Sequence, residues 1–147
     1  MPSPEPKLTD NSDHVILYVD DDADDRMLLT DAISVTFPKY ETIGASDGVE
    51  ALQYLDKHRQ SQLPCLVILD LNMPGMNGKE VLREVKKNEE LNKIPVVIFT
   101  TSSNPSDKKE FADMGVDMIT KPATFSELTA LIKKLLSYCN PELQPPD

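Results

Sequence analysis

Three short runs in this chain are apolar on nearly every residue: Val15–Asp20 (VILYVD), Leu66–Asp70 (LVILD) and Pro95–Thr100 (PVVIFT). A strand that is apolar on both faces is stable only in a sheet covered on both sides, which means a parallel sheet with crossover helices. Two further β-rich runs, Tyr40–Ala45 (YETIGA) and Asp117–Lys121 (DMITK), fit the same alternation.

The helical patterns between them have readable starts. Asp47 precedes Glu50, Asn77 precedes Glu80 and Thr124 precedes Glu127 by capping-box spacing. Asn104 before Pro105 suits an N-cap with proline at the first helical position, and Asp22 with Asp25 can open the first helix in the same way. The helix bodies carry apolar residues at the helical period: Leu28, Leu29, Ala32 and Ile33; Val81, Leu82 and Val85; Leu128, Leu131, Ile132, Leu135 and Leu136. These belong in the core rather than against a cofactor. The alternation predicts an α/β fold, (βα)5, doubly wound around one parallel sheet. Right-handed crossovers leave few arrangements. A common open one is the flavodoxin-like order 2-1-3-4-5, whose ligands lie beyond the carboxyl ends of the strands.

At 147 residues and 39% apolar content, the chain can bury one core without disulfide staples. Residues 1–13, rich in Pro, Ser and charge, are expected to form a disordered arm, residues 14–139 the domain and residues 140–147 (NPELQPPD) a frayed tail. No apolar run approaches the roughly 20 residues of a membrane span, and the first residues lack a signal-peptide pattern. Cys65 and Cys139 show no metal-ligand spacing, and Cys65 adjoins an apolar run. Two reduced cysteines, with Cys65 a buried thiol, are expected, which fits a cytoplasmic protein. A net charge of −10 repels phosphate backbones and argues against direct nucleic-acid binding.

Part of that acidity is the run DDDADD at residues 20–25. A charge run is ordinarily a solvated face, but this one begins where the first strand ends. The strands as read finish in Asp20 and Asp21, in Asp70, in Thr100 and Thr101, and in Lys121. The fold therefore brings three carboxylates, a hydroxyl and an ammonium to one edge. Carboxylates so close repel unless a cation joins them, and an oxygen-only site with room for water suits Mg²⁺. A carboxylate can also act as a nucleophile toward phosphorus, in a transfer that needs charge neutralisation and positioning. Mg²⁺, Lys121 and the Thr100 hydroxyl can supply both. Asp70 is the best nucleophile candidate, because the third strand should lie centrally beside the first. It opens DLNMPGMNG, a loop in which Met73-Pro74-Gly75 has turn chemistry and Gly78 follows an N-cap.

With VDD at 19–21, LDLNMPGMNG at 69–78, PVVIFTT at 95–101 and ITKP at 119–122, the chain resembles the receiver domain of two-component response regulators over residues 15–138. The resemblance implies that Asp20 and Asp21 hold Mg²⁺ together with Asp70 and the backbone carbonyl of Asn72. It makes Asp70 the phosphoacceptor, Thr100 the switch hydroxyl and Lys121 the phosphoryl-binding residue, and it makes a cis Lys121–Pro122 bond plausible. Met118 stands where receivers usually carry Tyr or Phe, so the aromatic switch cannot operate as usual. Thr101 is bulkier than the usual residue, and Ser102 occupies the position that tunes phosphorylation lifetime.

The implied partners are a sensor histidine kinase or histidine phosphotransfer protein as donor and a downstream protein as receiver of the signal. Small receivers that pair with phytochrome-type kinases look similar. No second output domain is expected, so signalling should run through partner binding or onward relay. A homodimer is among the implied assemblies. The resemblance implies no enzyme beyond catalysis of its own phosphorylation and dephosphorylation. An aspartyl phosphatase would want a second Asp two residues past the nucleophile, where this chain has Asn72.

Overall fold

In the computed structural model, residues 14–101 and 104–140 are described. The expectations for residues 1–13, Ser102 and residues 141–147 lie outside the described residues. Strands β1 (Val15–Val19), β2 (Glu41–Ala45), β3 (Leu66–Leu69), β4 (Val96–Thr100) and β5 (Asp117–Thr120) alternate with helices α1 (Ala23–Thr36), α2 (Gly48–Lys57), α3 (Gly78–Lys87), α4 (Pro105–Asp113) and α5 (Phe125–Leu136). Every strand pair is parallel and the order is β2-β1-β3-β4-β5, as the alternation predicts.

Strand alternation divides the core into two layers. Leu17, Val19, Val67, Leu69, Val96 and Ile98 face α2, α3 and α4. Ile16, Tyr18, Leu66, Ile68, Val97 and Phe99 face α1 and α5. The central strands β1, β3 and β4 are buried throughout, whereas the edge strands β2 and β5 are half exposed. That difference explains why only the central runs read as continuously apolar.

The expected caps form. The Asn77 side chain accepts from Glu80 N–H at 3.0 Å and the Glu80 carboxylate accepts from Asn77 N–H at 3.0 Å, a complete capping box. Asp47, Asn104 and Thr124 cap α2, α4 and α5, and Asp22 caps α1. Each such cap contributes about 1 kcal/mol. Asp25 makes no reciprocal bond to its cap. Its side chain turns toward Lys121 instead.

Two expectations are corrected. Cys65 and Cys139 are disulfide-bonded, not reduced, with Cα atoms 5.0 Å apart across 74 positions of sequence. Helix α5 runs back along the sheet and delivers Cys139 to the amino-terminal edge, where Cys65 precedes β3; both pack on the α1/α5 layer. Sequence separation concealed a proximity that the crossover creates. The cysteines therefore give no sign of a reducing compartment. The Lys121–Pro122 bond is trans, the isomer intrinsically preferred even before proline.

Candidate functional site

The backbone ladder continues one step past the strands and fixes three of the predicted residues. Asp20 N–H donates to the Ala45 carbonyl at 3.0 Å, Asp70 N–H to the Val19 carbonyl at 2.9 Å and Lys121 N–H to the Thr100 carbonyl at 2.9 Å. Asp20 and Asp70 therefore project from the adjacent strands β1 and β3, and Lys121 from β5 beyond β4, all at the carboxyl edge, where an open α/β sheet binds its ligands.

Asp20 is fully buried. Its Oδ2 accepts from the Lys121 ammonium at 2.6 Å and from the Tyr18 hydroxyl at 2.7 Å, while its Oδ1 accepts from Asp22 N–H at 2.9 Å. Lys121 also donates to Asp25 Oδ2 at 2.8 Å and lies 3.6 Å from Asp70 Oδ2. Burial works against the Lys121 charge, but the bonds to Asp20 and Asp25 and the nearby Asp70 outweigh it and raise its pKa above the ordinary lysine value. A lysine so placed stays charged at any physiological pH.

Asp70 is buried beside this pair. Burial pushes its carboxyl above the usual carboxylate range. Lys121 pulls it down, Asp20 adds to the rise, and the Thr100 hydroxyl and the Asn72 amide pull it down by hydrogen bonding. Thr100 and the backbone of Asn72 are thus both engaged with Asp70. Single oxygens of Asp20, Asp21 and Asp70 lie within 4.8 Å of one another. Three carboxylate oxygens at that spacing, two of them on buried residues, suit a hard divalent cation that takes oxygen ligands and retains water.

The loop after β3 is shaped for close approach. Gly75 has φ +73°, a conformation that favours glycine. At Gly78 a Cβ would stand 2.4 Å from the Asp70 carbonyl oxygen, so only glycine lets α3 start this close to the end of β3.

The DDDADD run divides into distinct roles. Asp20 and Asp21 join the carboxylate cluster, Asp22 caps α1, and Asp25 binds Lys121. Thr101 is exposed at the rim. Met118 pairs with Ile98 in the β4–β5 register and packs on the layer of α2, α3 and α4. Three residues escaped the sequence reading. Tyr18 reads as one more apolar strand residue, although its position two before Asp20 puts both on one face. Asp25 reads as part of a cap. Arg26, which donates to the Asp20 carbonyl, was equally silent.

A parallel 2-1-3-4-5 sheet that brings an aspartate cluster, a threonine and a lysine to its carboxyl edge defines a receiver. The chain belongs to the response regulator receiver domain family, whose pattern matches residues 16–133, and is thereby a receiver-domain response regulator of two-component signalling. Response regulator Rcp1 of a Synechocystis strain is 33% identical over 132 residues, covering 87% of this chain and 90% of Rcp1. Among solved structures, the phosphorylated cyanobacterial phytochrome response regulator RcpA superposes with a TM-score of 0.79 at 33% identity, over 91% of this chain and 99% of RcpA. The Mn²⁺-bound form of Rcp1 gives a TM-score of 0.76 at 32% identity, over 91% and 99%. Among the described residues, no helix is long and apolar enough to cross a membrane.

Proposed function

We propose that this receiver accepts a phosphoryl group on Asp70 from a phosphohistidine of a sensor histidine kinase or phosphotransfer protein. The observation that carries the reading is the convergence of Asp20, Asp21 and Asp70 oxygens within 4.8 Å, with the Lys121 ammonium 3.6 Å from Asp70. An Asp70 carboxylate oxygen attacks phosphorus, the phosphorus–nitrogen bond breaks, and its electron pair leaves with the donor imidazole. Lys121 and the Thr100 hydroxyl bind the incoming phosphoryl oxygens. Asp20, Asp21, Asp70 and the Asn72 carbonyl would hold Mg²⁺, which supplies charge neutralisation when bound.

Lys121 must leave Asp20 and Asp25 to reach the phosphoryl group. That movement at the end of β5, together with Thr100 at the end of β4, biases the surface of α4, β5 and α5 between two packings. Hydrolysis of the acyl phosphate resets it, and the protein turns over no other substrate. Met118 replaces the aromatic relay, so the change passes through an unbranched side chain. Thr101 at the rim is placed to tune access of the hydrolytic water. The output is a downstream protein or an onward relay, not nucleic acid. The likeness to RcpA favours a kinase of phytochrome type as donor, working in the cytoplasm where ATP is available.

The test is intact-protein mass after incubation with acetyl phosphate, with and without Mg²⁺, and then with a phosphohistidine donor. A Mg²⁺-dependent gain of one phosphoryl group, absent in Asp70→Asn, is expected. Labelling of Asp70→Asn at the native rate, or no labelling of native protein from either donor, would sink the assignment.

A further inference from the structure

Tyr18 is the only polar side chain in the otherwise apolar β1. It is 1% exposed, and its ring meets Phe99 edge-on with centroids 6.1 Å apart. Phenylalanine would fill the same space at no polar cost. A buried hydroxyl must find a partner, and this one donates to Asp20 Oδ2 at 2.7 Å. The strand pleat explains why: residues two apart share a face, so the phenol reaches the carboxylate from within the α1/α5 layer.

Asp20 is a buried anion whose charged donor is Lys121. Once Lys121 shifts toward a phosphoryl group, Asp20 keeps only neutral donors, the Asp22 amide and the Tyr18 hydroxyl. The two side-chain donors differ in freedom. A cleft of about 50 Å³, lined by Tyr18, Asp25, Phe99, Lys121 and Pro122 among others, adjoins the lysine stem, whose ammonium sits on a long unbranched chain. Tyr18 is held by β1 at one end and by Phe99 along its ring.

We infer that Tyr18 is a positioning residue of the acidic site, whose hydroxyl orients the Asp20 carboxylate toward a divalent cation and keeps it hydrogen-bonded when Lys121 departs. The inference rests on the reading of Asp20, Asp21 and Asp70 as a cation site. Groups that hydrogen-bond a metal ligand from behind typically cost 10- to 100-fold in metal affinity when removed, and the same is expected here.

The experiment is calorimetric titration of the unphosphorylated full chain with Mg²⁺, native against Tyr18→Phe, with thermal unfolding in chelator as the check on fold. Tyr18→Phe should bind about 10- to 100-fold more weakly while unfolding close to native. The Mg²⁺ concentration needed for half-maximal labelling should rise by the same factor, with the rate recovered at saturating Mg²⁺, a split that a general loss of structure would not give. A second readout needs no variant. The chain has no Trp and four Tyr, so Mg²⁺ should perturb the native near-ultraviolet tyrosine signal. An affinity for Tyr18→Phe within about twofold of native, set against the effect expected of such partners, or a tyrosine signal indifferent to Mg²⁺, would overturn the inference while leaving the cation site standing. A native chain that binds no Mg²⁺ would overturn both.

Discussion

Gly78 couples the fold to the chemistry proposed for Asp70, because it packs directly on the Asp70 backbone. An added Cβ would lie 2.4 Å from the Asp70 carbonyl oxygen, 3.1 Å from the Leu71 Cα and 3.2 Å from the Asp70 carbonyl carbon. An ordinary carbon–oxygen contact is about 3.3–3.6 Å, so Gly78→Ala requires the end of β3 and the start of α3 to separate by about 1 Å. The obstacles are backbone atoms and cannot rotate away. Overpacking of this kind costs about 1–3 kcal/mol, or roughly 4–11 °C in melting temperature for a chain of this size. The displaced segment carries Asp70, and a shift of about 1 Å in a reacting group can cost about 100-fold in rate. Gly75→Ala is the control. It meets nothing within 4 Å but must adopt φ +73°, which costs about 1–2 kcal/mol without moving Asp70. Thermal unfolding and acetyl phosphate labelling should therefore show two variants of similar stability and very different reactivity. Labelling of Gly78→Ala within about threefold of native, against the loss expected from such a displacement, would refute the reasoning.

Asp70→Asn should melt a few degrees higher than native at neutral pH in chelator. Burial raises the Asp70 pKa in the folded chain above its unfolded value, so the native state holds the proton longer and stability falls as pH rises from the ordinary carboxylate range through the folded pKa. The amide escapes that penalty, and its advantage should vanish in acid; a variant less stable than native at neutral pH would contradict this. The Cys65–Cys139 bond closes a loop of 74 positions, for which chain entropy gives an upper value of about 4–5 kcal/mol. Reductant or Cys65→Ser should lower the melting temperature without altering Asp70 labelling, because the bond lies at the opposite edge of the sheet. Two titratable thiols in air-equilibrated native protein would refute the pairing.

The sheet order was legible because the continuous apolar runs of β1, β3 and β4 admit few architectures, and the caps because Asn77 with Glu80 and Thr124 with Glu127 act within a few residues. The convergence of Asp20, Asp70 and Lys121 was legible for a related reason: each follows a strand, and parallel strands share one carboxyl edge. What escaped depends on side-chain direction or on where a crossover returns. Tyr18 fits an apolar run as well as Phe would, and nothing in its neighbours says that its hydroxyl is used. Asp25 has cap spacing, yet the cap needs only Asp22. Cys65 and Cys139 meet because α5 runs the full height of the sheet.

The resting arrangement sets an order of events. Four carboxylates, Asp20, Asp21, Asp25 and Asp70, lie in or beside the cluster, and Lys121 is the cation that contacts three of them. A phosphoryl group adds negative charge to a site already in deficit, so its approach is opposed unless a divalent cation is present first. Lys121 cannot do that work alone, because each bond it makes to phosphorus-bound oxygen is withdrawn from Asp20 or Asp25. The cation and the lysine are therefore successive partners of the same carboxylates on the proposed reading. Removing Lys121 should leave cation binding largely intact while uncoupling phosphorylation from the α4–β5–α5 surface. Removing Asp20 should weaken the cation before any phosphoryl group arrives.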